Sequence, residues 1–135
     1  MEMRIIDTHC DTIGECIARS QGKITLQNNP GHINVEKLQK GGALAEFFAI
    51  FIQTHEGAAQ AGIHMTPYEY FQFVYQVYLK ELEANQDVLA PAMNYEDILR
   101  NKAAGKISSV LTVEDGVPLD GKMERLEEFY QKGVR

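Results

Sequence analysis

The chain has 135 residues, enough for one ordinary domain, and sets 13 Lys plus Arg against 19 Asp plus Glu, a formal net charge of -6. That balance excludes the clustered positive charge a nucleic-acid surface requires, and there is no basic run for an anionic membrane. The two cysteines, Cys10 and Cys16, make neither a disulfide framework nor a C-x-x-C pair. The longest apolar run, Phe47 to Ile52, is far too short to span a bilayer. Met1-Glu2-Met3-Arg4 leads straight into the first apolar run without the long apolar core of a signal peptide, so a cytoplasmic location is expected.

Arg4 to Asp11 begins apolar and ends in polar ligand atoms. Read as a strand over residues 4–9, its alternation places His9 and Asp11 on one face, with Asp7 behind them and Cys10 opposite. An imidazole and a carboxylate two residues apart at the end of a buried strand can hold one divalent metal. The same string also suits a structural strand whose polar end sits in a turn. Cys10, facing away, is expected to pack as a small apolar residue rather than to be a third ligand.

Ile13, Cys16 and Ile17 stand at helical spacing, and Gly22 ends that segment. Asn28-Asn29-Pro30-Gly31 is a turn signal. Asn34 is an N-cap for a helix over 35–40, stopped by Gly41-Gly42. Residues 44–52 are almost continuously apolar, as in a strand buried on both faces of a parallel sheet. Glu46 interrupts the run near its start and is expected to be a paired structural carboxylate. Gln53-Thr54-His55-Glu56 follows the strand. His55 there is read as a solvated loop histidine or as lining a site.

Thr66-Pro67-Tyr68-Glu69 combines an N-cap, a first-turn proline and a capping box. Phe71, Val74, Tyr75, Tyr78, Leu79 and Leu82 then form an apolar stripe facing the core, to a helix end near Asn85. Asn94 caps a shorter helix over 95–104, closed by Gly105. Residues 107–113 are the third strand, finished by Glu114 and turned out by Asp115-Gly116. Leu119, Met123, Leu126 and Phe129 or Tyr130 mark a last helix face, stopped at Gly133. The β-α-β-α-β-α order argues a parallel sheet with crossover helices, the three strands adjacent and the helices on one side.

Three stretches of this chain resemble, in order, the membrane (renal) dipeptidase family of metal-dependent (β/α)8 barrels. They are Asp7-Thr8-His9-Cys10-Asp11-Thr12, then Ile33 to Gly42 with Ala45 to Phe51, then Leu111 to Gly116 with Leu126 to Arg135. The resemblance implies an α/β fold: about three βα units from the N-terminal part of a TIM barrel. Such a barrel needs about 250 residues, so residues 1–135 are expected to be a single incomplete domain, a fragment ending where a fourth strand would start.

It further implies zinc, two ions in the complete enzyme, with His9 and Asp11 binding one and Glu114 bridging both. Histidines of later strands and a late aspartate for proton transfer would lie beyond this chain. Asp115-Gly116-Val117-Pro118 departs from the glycine-rich sequence of many relatives. The activity implied is metal-dependent hydrolysis of a dipeptide, in which metal polarises the carbonyl and activates water. His9-Cys10-Asp11, rather than His-x-His, favours this over an amidohydrolase acting on a cyclic amide or lactone. A third reading is a non-catalytic half-barrel binding module. The fragment alone is expected to be inactive, weak in metal binding, and prone to self-association or to pairing with the missing C-terminal part of the barrel, because unpaired strand edges recruit other strands.

Overall fold

The structure is a computed structural model that describes residues 4–60 and 62–135. The strands are β1 (Ile5–Cys10), β2 (Ala43–Phe51), β3 (Leu89–Pro91) and β4 (Ile107–Glu114). They form one sheet in the order β1-β2-β4-β3, and every pairing is parallel. The helices are α1 (Val35–Lys40), α2 (His55–Gln60), α3 (Pro67–Ala84), α4 (Tyr95–Ala103) and α5 (Met123–Gln131). After β1 the chain runs through a π-helical turn, Thr12–Ile17, and a 3-10 turn, Ala18–Ser20, rather than an α-helix. Gln21 and Gly22, both at positive φ, end that segment.

The starts of the helices are written in polar side chains. Asn34 Oδ1 accepts from the Lys37 amide at 2.9 Å, and Asn94 Oδ1 from that of Asp97 at 2.8 Å. Thr66 and Glu69 form the full capping box ahead of α3. The α3 stripe buries Tyr70, Phe71, Val74 and Tyr78, and Phe71 stacks on Phe129 of α5 with ring centroids 3.8 Å apart. Leu79, expected in the stripe, is exposed, because at the tighter spacing set by Tyr70 and Phe71 it falls on the outer edge.

Two further features of the sheet and its helices differ from the sequence expectation. First, β3 adds a fourth strand, pairing Leu89, Ala90 and Pro91 with Ile107, Ser108 and Ser109 of β4. A three-residue strand ending in proline carries almost no periodic signal, and an edge position is where proline is tolerated. Secondly, the helices do not all lie on one side. The Tyr78 hydroxyl of α3 is 2.8 Å from Ser109 Oγ, whereas Asn101 Nδ2 of α4 donates to Ser108 Oγ at 3.1 Å. Adjacent strand residues point to opposite faces, so α3 and α4 cover opposite faces of the sheet. Asn101 also donates to the carbonyls of Ala90 and Pro91, which ties α4 to the β3 edge.

The main core lies on the α3 face, where Cys10, Phe48, Ile50, Ile107 and Leu111 pack with Ile13, Leu38, Phe71, Val74 and Phe129. On the other face Val110 is buried and Phe47 half-buried. The outer edge of β1 pairs with no strand among the described residues, and Ile5 and Ile6 are each 49 % exposed. At the opposite edge Val134 makes a parallel bridge to Leu111, and the Arg135 amide donates to the Leu111 carbonyl at 2.9 Å. The last two residues therefore lie in parallel register beside β4.

Candidate metal centre

His9 is exposed near the end of β1, Asp11 follows the strand, and Glu114 is the last residue of β4. Parallel strands carry all three toward the same carboxyl-terminal rim, where α/β folds place their ligands. The backbone at Glu114 is held, since its carbonyl accepts from the Ile52 amide at 3.0 Å. Asp115 then takes φ 79, a conformation aspartate tolerates, and its Oδ1 accepts from the Val117 amide, so the chain turns away from the rim.

The side chains converge. His9 Nε2 is 3.1 Å from Glu114 Oε2 and 3.4 Å from Asp11 Oδ1. One donor atom from each residue falls within a 4.8 Å cluster. Asp11 Oδ1 is shut off from solvent and receives no hydrogen bond among the described residues. An orphaned, buried carboxylate oxygen beside an imidazole nitrogen and a second carboxylate fits a divalent cation of the transition-metal type, which accepts imidazole together with carboxylate donors. The three residues singled out from the sequence are thus the three brought together.

Other residues stand elsewhere. Cys10 is buried among apolar side chains, and burial drives its thiol well above the ordinary range, so it packs as expected and does not join the cluster. Asp7, expected behind His9 on the same face, is not there. It pairs with Glu46 in the sheet register, and Cys10 with Phe48, so three steps on β1 match two on β2. The extra residue is a β-bulge, and it reverses the alternation between Asp7 and His9. Asp7 lines a cavity of about 190 Å³ with Glu46, Lys37 and Leu38, on the side of α1.

Glu46 also departs from expectation. It is fully buried, and among the described residues no cation pairs with it; only the weakly donating Cys10 thiol stands beside its carboxylate. Burial is the main cause pushing its carboxyl up to about 7, and the nearby Asp7 adds to it, while the Cys10 thiol and His9 act in the other direction. His55, expected in a loop, instead opens α2 together with Glu56, and its side chain lies outside the described part of the structure.

Comparison with protein families gives one match over residues 1–135, described as membrane dipeptidase, peptidase family M19. The chain belongs to the membrane dipeptidase family. No curated protein sequence matches it. Among solved structures, a metallo peptidase from Rhodobacter sphaeroides, liganded with a phosphinate mimic of the dipeptide L-Ala-D-Ala, has a TM-score of 0.83 at 16 % identity. The match covers 100 % of this chain and 44 % of that one. A metallo peptidase of family M19, dipeptidase AC, has a TM-score of 0.81 at 18 % identity, covering 100 % of this chain and 42 % of that one. The probable dipeptidase PvdM from Pseudomonas aeruginosa has a TM-score of 0.65 at 16 % identity, covering 94 % and 37 %. The four parallel strands are therefore the N-terminal part of a dipeptidase-type TIM barrel, and this membrane dipeptidase family chain spans less than half the length of the structures it matches.

Proposed function

We propose that this chain supplies the first metal-binding half of a metal-dependent dipeptidase, with His9, Asp11 and Glu114 as ligands. The observation that carries the reading is the convergence of these three side chains around the orphaned Asp11 Oδ1. His9 and Asp11 are suited to one ion, and Glu114, with a second carboxylate oxygen to offer, is suited to bridging two. Zinc is the metal we propose. A bound divalent ion supplies Lewis acidity at a carbonyl and lowers the pKa of water. The chain's own residues hold charge and orient donors: two carboxylates balance the cation, and the strand ends fix their separation. A dipeptide is the proposed substrate class, by analogy with the L-Ala-D-Ala mimic bound to the Rhodobacter sphaeroides metallo peptidase.

Three donors complete one catalytic zinc site at most, since such sites use about three protein ligands for each metal. Residues 1–135 alone are therefore expected to bind zinc weakly and to leave dipeptides intact. The test titrates zinc into the chain by calorimetry, with Glu114→Gln and His9→Ala beside it, and follows L-Ala-D-Ala hydrolysis by amine release. One weak site that both substitutions abolish supports the reading. Equal binding by all three proteins refutes the ligand set, and dipeptide cleavage by the isolated chain refutes the argument that donors are missing.

The exposed β1 edge favours one further reading for the isolated chain, association through its open strands. Ile5 and Ile6 lie on that edge, each half exposed. Size-exclusion chromatography at increasing concentration tests it, and a monomer at every concentration overturns it.

A further inference from the structure

The bulge in β1 decides which way His9 points. Asp7 shares the helix side with Glu46, as its register partner and as a wall of the same cavity. Regular alternation from Asp7 would return His9 to that side and send Cys10 to the other. The residue inserted between Asp7 and Cys10 inverts this outcome. Cys10 joins the buried core and His9 is free to reach Glu114. A bulge locally disrupts the ladder, so its amides need other acceptors. The His9 amide finds one in Asp7 Oδ1, at 3.2 Å.

Resting on the metal-centre reading above, we propose that Asp7 is a positioning residue: its carboxylate oxygen holds the backbone of His9 in the bulge that aims the imidazole at Glu114. Asp7 contributes no atom to the donor cluster itself. Its effect passes through the His9 amide, which is two residues away and belongs to the ligand. The distance is at the long end for an N–H···O bond, so position rather than strength is what the contact supplies. The need is for a short acceptor at this place, not for a negative charge. Asparagine retains that acceptor. Glutamate keeps the charge but moves the oxygen by one methylene.

The experiment uses the full 135-residue chain with Asp7→Asn, Asp7→Glu and Asp7→Ala. Cobalt(II) affinity is measured by calorimetry and by the visible absorption of the bound ion, and exchange of the His9 amide by NMR. Tyr78→Phe, which removes a buried hydrogen bond on the α3 face, serves as a stability control. The expected result is that Asp7→Asn stays close to the parent. Asp7→Glu and Asp7→Ala should weaken cobalt binding about tenfold or more, as loss of a residue supporting a ligand does. Both should also release the His9 amide to exchange, while Tyr78→Phe lowers stability without either effect.

Equal affinity and equal exchange in all variants overturns the role of Asp7 and leaves the metal centre standing. Loss of affinity in Asp7→Asn as large as in Asp7→Ala overturns the geometric account in favour of charge. If the parent chain binds no cobalt, the metal reading fails instead. Asp7 is then judged on amide exchange alone, where an unprotected His9 amide in the parent overturns the inference. Should Asp7→Ala fail to fold, the Asn and Glu pair still decides.

Discussion

Glu46 offers the sharpest test of the packing described here, through Glu46→Gln. Burial moves this carboxyl from an ordinary 4.5 to about 7. The folded state therefore holds the proton more tightly than the unfolded chain. The corresponding stability is fully present below about pH 4.5 and is lost as pH rises through about 7. The full difference corresponds to about 3 kcal/mol. The cavity of about 190 Å³ beside the carboxylate gives the ionised form some room for water, so about 2 kcal/mol is the expected size. Glutamine mimics the protonated acid and does not titrate. Glu46→Gln should match the parent near pH 4 and exceed it by about 2 kcal/mol near pH 8. Urea unfolding followed by circular dichroism at several pH values measures this, and comparing the two proteins cancels the contributions of groups that do not interact with Glu46. A stability difference that does not change between these pH values would refute the account of Glu46 as a buried, unpaired carboxyl.

Other perturbations have simpler expectations. Thr66→Ala removes the hydroxyl that accepts from the Glu69 amide and ends the capping box of α3. It should cost about 1 kcal/mol in chemical denaturation. Asn101→Ala deletes donations to Ala90, Pro91 and Ser108. A loss of about 1–3 kcal/mol is expected, with faster hydrogen exchange confined to β3 and its neighbours. An unchanged exchange pattern there would mean that α4 is held by other contacts.

The strands and helices legible in the sequence are those whose signal is repeated. The run from Leu44 to Ile52 has an apolar side chain at nearly every position, so its reading survives a shift of one residue at either end, and β2 is observed at Ala43–Phe51. The long α3 announces itself twice, in the Thr66 capping box and in its aromatic stripe. β3 has neither length nor alternation, and what makes it a strand is the pairing of Leu89 to Pro91 with the edge of β4. The side on which α4 packs was equally hidden. Among its residues only Asn101 is buried, so the polar contact to Ser108, not an apolar face, places that helix.

The convergence of His9, Asp11 and Glu114 was legible for a different reason. His9, Asp11 and Glu114 are polar residues at the ends of apolar strands, and a parallel sheet leaves strand ends few places to go. What alternation could not supply is the phase. Counting by twos from Asp7 puts it with His9, and a bulge of one residue breaks that count without any composition to mark it. Only the span from His9 to Asp11 needs to be regular for the pair to converge, and that span lies beyond the shared register at Asp7. An error in phase upstream therefore left His9, Asp11 and Glu114 grouped as expected and Asp7 misplaced. The same displacement turns Asp7 from an expected neighbour of the metal ligands into an acceptor for the His9 backbone.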